Sequence, residues 1–222
     1  MNKYLISCFS AAIYLTLALS PFQSFARSEY WNQRVSLFDK LPITSADIVF
    51  LGNSITDGGE FAELFNDENI KNRGINSDEI SGVKERLSQI TSGNPKKIFL
   101  LIGINDISHN LSVDEIAKRY DSLVKEIKEQ TPSTKLYIQS IMPINNDYGR
   151  YKNLQGKESI VLKVNERLKS IADENNATFI DLFPALSDRE GKLKREYTND
   201  GLHLLGNGYK AWANHIKEYV IE

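Results

Sequence analysis

Cysteine is almost missing from this chain: Cys8 is the only one in 222 residues. It lies in an apolar N-terminal run, so the rest of the sequence holds no thiol. Disulfide staples, thiolate nucleophiles and cysteine metal sites are excluded there. Histidine is nearly as scarce: His109, His203 and His215 are too dispersed for metal-ligand spacing. Positive charge is not in surplus, with 27 Lys and Arg against 29 Asp and Glu and a formal net charge of −2. A chain so balanced has no drive toward a phosphate backbone, and nucleic acid is not an expected partner. Internal repeats, low-complexity tracts and a composition break after residue 30 are also lacking, so a single domain is the economical reading. With 41% hydrophobic residues, that domain can bury a sizeable core without staples.

The first 26 residues read as something other than the fold. Lys3 is the only charge before Arg27, residues 4–20 are mostly apolar, and "SFA" (Ser24 to Ala26) offers small residues where a signal peptidase reads. The expectation is a signal peptide over 1–26, cleaved after Ala26, with a domain over 27–222. An uncleaved anchor fits less well, because the apolar run is short and spotted with Ser and Thr. Lipoprotein processing at Cys8 fits less well again, because the apolar run continues far beyond it. Export to a periplasm-like or extracellular space follows, with no stable membrane insertion expected. Export without disulfides also suits a core that needs none.

What is present is an alternation of apolar runs and helical patterns. "IVFLG" (48–52), "KIFLLIG" (97–103), "KLYIQSI" (135–141) and "ATFIDL" (177–182) read as strands, and "IKNRGI" (70–75) as a weaker fifth. The continuous β-branched and aromatic character of the first two predicts burial on both faces, as in a parallel sheet. Helices are predicted over 77–90, 112–130, 158–175 and the C-terminal segment from Gly206, each with apolar residues at helical spacing. Ser112 and Glu115 form a capping box at the start of the second. The architecture expected is a three-layer α/β/α sandwich with a five-stranded parallel, flavodoxin-like sheet.

In such sheets ligands bind beyond the carboxyl ends of the strands. The segments expected there are "GNSIT" with Ser54, "NRGIN" with Gly74, "GINDIS" with Asn105 and Asp106, and "NDGLHLLGNGY" with Asp200 and His203. A serine hydroxyl is a poor nucleophile until a base takes its proton, and His203 can be that base. Asp200, three residues earlier, is placed to fix the imidazole tautomer. The backbone N–H of Ser54, the backbone N–H of Gly74 and the Asn105 amide are candidate donors to a developing oxyanion. Asp106 and Asp181 read as structural, and His109 and His215 as bystanders. The polar stretch 142–158, "MPINNDYGRYKNLQGKE", reads as a substrate-contacting loop or an ordinary connection; Tyr148, Arg150 and Tyr151 in it suit sugar hydroxyls and ring faces.

The blocks "GNSIT", "NRGIN", "GIND" and "DGLHL", in this order, resemble the four signature blocks of the SGNH hydrolases, also called GDSL esterases and lipases. The likeness runs from about residue 47 to 216. It implies ester hydrolysis through an acyl-enzyme, with Ser54 as nucleophile, Gly74 and Asn105 as oxyanion donors, His203 as base, Asp200 as its acid partner, and no metal or organic cofactor. The chain departs from the name-giving pattern at Asn53, where the family carries aspartate, which leaves the hydrogen bonding of that turn open. Within the family, absence of a long apolar lid favours short acyl groups, O-acetyl esters of carbohydrates above all. A lysophospholipase or lipid acylhydrolase is the competing enzyme. A non-catalytic binding protein on the same fold is the other class, and it has no use for the full residue set.

Overall fold

The computed structural model describes residues 27–222; the predicted signal segment and its cleavage point lie outside them. In chain order the elements are α1 (Glu29–Phe38), β1 (Ile48–Gly52), α2 (Ser54–Asp57), α3 (Phe61–Phe65), β2 (Ile70–Gly74), α4 (Ile80–Glu85) and α5 (Ser88–Thr91). There follow β3 (Lys97–Leu101), α6 (Ile104–Ser108), α7 (Val113–Gln130), β4 (Lys135–Gln139), α8 (Glu158–Glu174), β5 (Thr178–Ile180), α9 (Phe183–Leu186) and α10 (Gly206–Ile221). The strands form one sheet in the order β2-β1-β3-β4-β5, and every pairing is parallel. This is the flavodoxin-like order, and helices flank the sheet to give the three-layer α/β/α fold.

Strand register explains the core. Phe50 of β1 lies beside Phe99 of β3, which lies beside Tyr137 of β4. Their rings stack at centroid distances of 4.9 and 4.5 Å, and Phe61 of α3 stacks on Phe50 at 4.0 Å. Trp212 of α10 meets Phe61 edge-on at 4.9 Å and closes this layer. Its buried indole N–H is satisfied by donating to Gln139 Oε1 at 2.7 Å. Alternate residues such as Val49 and Leu51 point to the opposite face. There α7 and α8 pack side by side, with α4 against α7. The Ser112–Glu115 capping box forms as expected at the start of α7.

The structure departs from the predicted pattern in several places. The helix expected over 77–90 is two short ones, α4 and α5. Arg86, between them, turns a fully buried guanidinium toward Asp78, Gly52 and Arg73, and the backbone tightens into i→i−3 bonds from Leu87 to Lys84 and from Gln89 to Arg86. Strands β3, β4 and β5 end sooner than predicted. Beyond β4, the Ile141 N–H leaves the ladder for Asn165 Oδ1 of α8 at 2.8 Å, and the Asn165 amide returns a bond to Ile141 O at 2.9 Å. Helix α1 is an element the sequence pattern does not announce; Ser28 caps it by accepting from Trp31 N–H at 3.1 Å.

Replacing Phe99 by alanine removes the middle ring of the stack. The expected loss is about 3–5 kcal/mol of stability, measured by urea unfolding, whereas Phe99→Leu keeps most of it. A loss below about 1 kcal/mol for the alanine variant would contradict a rigid aromatic layer.

Candidate active site

Three chain segments meet at the carboxyl ends of β1, β2 and β3. At the end of β1 the chain turns at Asn53 directly into α2. Asn53 is fully buried, and its Oδ1 accepts from Ile55 N–H at 3.0 Å. The amide oxygen thus does the capping that a carboxylate would do in its place. Asn53 Nδ2 has no partner among the described residues. Ser54 follows as the first residue of α2, where a backbone N–H has no intrahelical acceptor.

His203 reaches this serine from a loop 149 residues away. Its Nε2 lies 3.0 Å from Ser54 Oγ, and its Nδ1 lies 2.8 Å from Asp200 Oδ2. The carboxylate holds the proton on Nδ1, which turns the lone pair of Nε2 toward the hydroxyl. The other carboxylate oxygen, Oδ1, accepts from the backbone N–H groups of Leu202 at 2.9 Å and His203 at 2.8 Å. Burial alone would raise the Asp200 carboxyl. The hydrogen bonds from the His203 ring, these two backbone groups and Tyr151 outweigh it and hold Asp200 far below the usual carboxylate range. Asp200 is therefore an anion wherever the imidazole titrates. Gly201 has φ +88°, and a Cβ there would stand 2.2 Å from Asn145 O, so glycine lets the histidine loop close against the 142–158 segment.

The N–H of Gly74, an expected oxyanion donor, is donated to Asn72 Oδ1 at 2.7 Å. The same Asn72 donates to Thr56 O at 2.6 Å and Gly59 O at 2.8 Å, clamping β2 to the serine turn. A Cβ at position 74 would come within 2.1 Å of Asp57 N, so glycine is required for this close approach. Asn105, by contrast, spends one amide hydrogen on Asp78 O at 2.8 Å and keeps the second.

The cleft beside Ser54 and His203 is open, about 390 Å³, and lined by Tyr30, Ser54, Asp57, Gly58, Asn76 and His203. The suggested substrate residues Asn53, Tyr148, Arg150 and Tyr151 are not in that lining. Asn53 lies beneath it. Tyr148 donates to Thr198 O at 3.2 Å, and Arg150 is exposed. Tyr151 donates to Asp200 Oδ2 at 2.8 Å. Four lining residues, Tyr30, Asp57, Gly58 and Asn76, are not singled out from the sequence. Tyr30 of α1 donates to Asp57 Oδ2 at 2.8 Å, and Asn76 precedes Ser77, a non-glycine residue at φ +62°. The Ser28 cap is a signal for α1, but no local pattern says that its Tyr30 meets a rim built by β1.

The remaining flagged groups stand apart. His109 is bonded to Glu79, His215 Nε2 lies 2.7 Å from Asp181 O, and Asp181 Oδ1 accepts from Phe183 N–H at 3.1 Å. Asp106 is buried, with one oxygen accepting from Ile80 N–H at 3.2 Å and the other unpartnered. Burial pushes its carboxyl up to about 7; the Ile80 bond opposes this and the Glu79 charge adds to it. Among the described residues no group of three or more His, Cys, Asp or Glu could hold a metal ion. No helix among them is long and apolar enough to cross a membrane.

The family model described as GDSL-like Lipase/Acylhydrolase matches residues 50–211, most of the chain. The chain belongs to this family. As a GDSL-like acylhydrolase it is an ester-hydrolysing enzyme. It is 30% identical over 199 residues to the N-acylneuraminate cytidylyltransferase of Escherichia coli, covering 85% of this chain but only 43% of that protein. It is 24% identical over 182 residues to the platelet-activating factor acetylhydrolase IB subunit alpha2 of Rattus norvegicus, covering 79% of this chain and 76% of that one. Among solved structures it resembles an acetyl-xylooligosaccharide esterase from Geobacillus, with TM-score 0.66, 20% identity, and 81% and 96% of the two chains covered.

The raised Asp106 carboxyl gives this acylhydrolase a signed pH dependence. The folded state keeps a proton that the unfolded chain releases from about pH 4 upward. Asp106 therefore costs stability progressively as pH rises from about 4 to 7, by about 1.4 kcal/mol for each pH unit of that interval. Asp106→Asn should flatten that part of the stability–pH curve and gain stability at pH 8, measured by urea unfolding. An unchanged slope would overturn the assignment.

Proposed function

We propose that this acylhydrolase cleaves short acyl esters, O-acetyl groups on carbohydrate hydroxyls in particular, with Ser54 as nucleophile, His203 as general base and Asp200 as the orienting acid. One observation carries the reading: the Ser54–His203–Asp200 chain of hydrogen bonds opens into a cleft whose lining contains no aliphatic side chain. An acetyl group needs little apolar surface, whereas a long acyl chain needs a groove that this lining lacks. Asp57 and Tyr30 offer an acceptor and an aromatic face for a polyhydroxylated alcohol and repel an anionic one. The acetyl esters named in the rat relative and the Geobacillus esterase support the same choice.

The chemistry follows from the atoms in place. Ser54 Oγ attacks the ester carbonyl carbon while its proton passes to His203 Nε2. The carbonyl oxygen becomes an anion, met by the Ser54 N–H and the second amide hydrogen of Asn105. We give Gly74 the packing role described above in place of a third donor. The C–O bond to the alcohol then breaks, and the leaving oxygen takes the proton from His203, leaving an acyl-Ser54. Water repeats the sequence with His203 as base, releasing the acid and restoring the serine. We place this reaction outside the cytoplasm, on the strength of the signal-like residues 1–26.

Hydrolysis of p-nitrophenyl esters of increasing acyl length tests the reading. Acetate should be the best substrate, and Ser54→Ala and His203→Ala should each lose several orders of magnitude in turnover. Asn105→Ala should lose roughly 10²–10³-fold. Since the imidazole must be neutral, kcat/KM should climb across the interval of about pH 5–8 where histidines titrate. Rates that grow toward long chains would move the substrate to lipids. Full activity in Ser54→Ala would remove the nucleophile assignment altogether.

A further inference from the structure

Tyr151 occupies a place that the proposed hydrolysis does not use. It stands on the 142–158 segment, between the short 3-10 turns Asn146–Tyr148 and Lys152–Leu154. Its hydroxyl lies 2.8 Å from Asp200 Oδ2 and 2.9 Å from His203 Nδ1, while these two atoms are themselves 2.8 Å apart. Its ring stands edge-on to the imidazole, with centroids 5.7 Å apart. We propose that Tyr151 is a positioning residue for the acylhydrolase site, holding Asp200 and His203 in working register by donating its phenolic proton to the carboxylate oxygen that binds the imidazole. The proposal rests on the catalytic reading above and adds a fourth member to it.

The three atoms form a nearly equilateral triangle, so a proton aimed along one edge is about 60° off the next, far from a usable hydrogen-bond angle. The phenol and the imidazole each own one proton at this corner. Both protons go to the only anion, Asp200 Oδ2, and the third edge is a close contact that carries little attraction. Tyr151 therefore acts on His203 through Asp200. Its donation spreads the carboxylate charge, leaving Asp200 a weaker partner for the imidazolium that forms during acyl transfer. The contact works in the other direction as well: burial, reinforced by the Asp200 bond and charge, pushes the phenol up to about 12, so it remains a donor throughout the working range.

The geometry separates this role from substrate contact. Tyr151 is absent from the cleft lining, and its hydroxyl is already committed. The segment that carries it is firmly anchored. Asn145 donates through Nδ2 to Leu193 O at 2.9 Å and through its backbone N–H to Gly201 O at 2.8 Å. Asn146 donates to Leu154 O at 2.9 Å and Glu158 Oε1 at 2.7 Å. The charged or titratable groups around the corner are Asp200 and His203 on the loop, Arg150 next to Tyr151, and Tyr30 and Asp57 across the cleft.

Tyr151→Phe keeps the ring against His203 and removes only the hydroxyl. With p-nitrophenyl acetate, kcat should fall roughly tenfold at nearly unchanged KM. The ascending limb of the kcat/KM profile should move to higher pH by roughly half a unit to one unit, because the undiluted carboxylate holds the imidazolium more tightly. In an Asp200→Asn background the same substitution should have little further effect, since the hydroxyl then has no anion to bind. Urea unfolding of each variant separates loss of fold from loss of register. A Phe variant with wild-type kcat and pH profile would overturn the proposal, as would a change confined to KM, which would make Tyr151 a substrate contact. Ser54→Ala is the independent control: full activity there fails the catalytic reading itself, whereas a dead Ser54→Ala beside a normal Tyr151→Phe fails this proposal alone.

Discussion

The buried ion pair between Asp78 and Arg86 is the tie on which the rim of this sheet depends. Both side chains are wholly shielded from solvent. Arg86 Nε donates to Asp78 Oδ2 at 2.9 Å, and its Nη2 reaches the carbonyl oxygens of Arg73 at 2.9 Å and Gly52 at 3.3 Å. One guanidinium thus binds the last turns of β1 and β2 beneath the serine. Asp78 Oδ1 takes the indole N–H of Trp31 at 3.0 Å, which brings α1 in, and Asp78 O takes the Asn105 amide at 2.8 Å, which brings in the end of β3. Burial pushes the Asp78 carboxyl up and the Arg86 guanidinium down, and each is opposed by the other's charge. Such a pair contributes little net stability over an apolar substitute, but removing one partner strands a buried charge at a cost of about 3–5 kcal/mol. What it supplies is a fixed meeting point for segments that are far apart in sequence.

A second set of ties fixes the histidine loop. Nothing in the loop is a helix or strand, yet Asp200 gathers two backbone N–H groups, the Thr198 hydroxyl, the His203 ring and the Tyr151 phenol. An irregular segment has no ladder to satisfy its polar groups, so a carboxylate with four lone-pair directions does that work. The consequence is electrostatic: every donor that orders the loop also keeps Asp200 ionised. The fold and the proposed chemistry therefore draw on the same hydrogen bonds.

Much of the architecture is legible in the sequence because it is encoded locally. Runs such as "IVFLG" and "KIFLL" read as strands buried on both faces, because they are short, continuous and rich in β-branched and aromatic residues. The Ser112–Glu115 box marks α7 to the residue. Where the pattern misleads, a side chain from elsewhere intervenes. Arg86 breaks the helix expected over 77–90 because three acceptors in other segments claim its guanidinium. Asn165 ends β4 by replacing the sheet partner of Ile141. Helix α1 is hard to read because Phe38 is its one buried residue and its ties run to groups far along the chain: Trp31 to Asp78, Val35 O to Gln89, and the Phe38 ring beneath Arg73.

The site divides along the same line. Residue types and their order are enough to single out Ser54, Asp200 and His203, whose side chains the fold joins in one line of hydrogen bonds. The sequence alone also sets the absence of thiols after Cys8 and the lack of a basic surplus. Only the tertiary structure decides that Gly74 N–H faces Asn72, that Tyr30 of α1 borders the cleft, and that Tyr151 bonds Asp200. The reason is physical. Local sequence sets backbone propensity and burial, but a hydrogen-bond partner is chosen by whichever groups the packed chain brings within about 3 Å. Tyr151 and Asp200 are 49 residues apart, and Tyr30 and Asp57 are 27 apart.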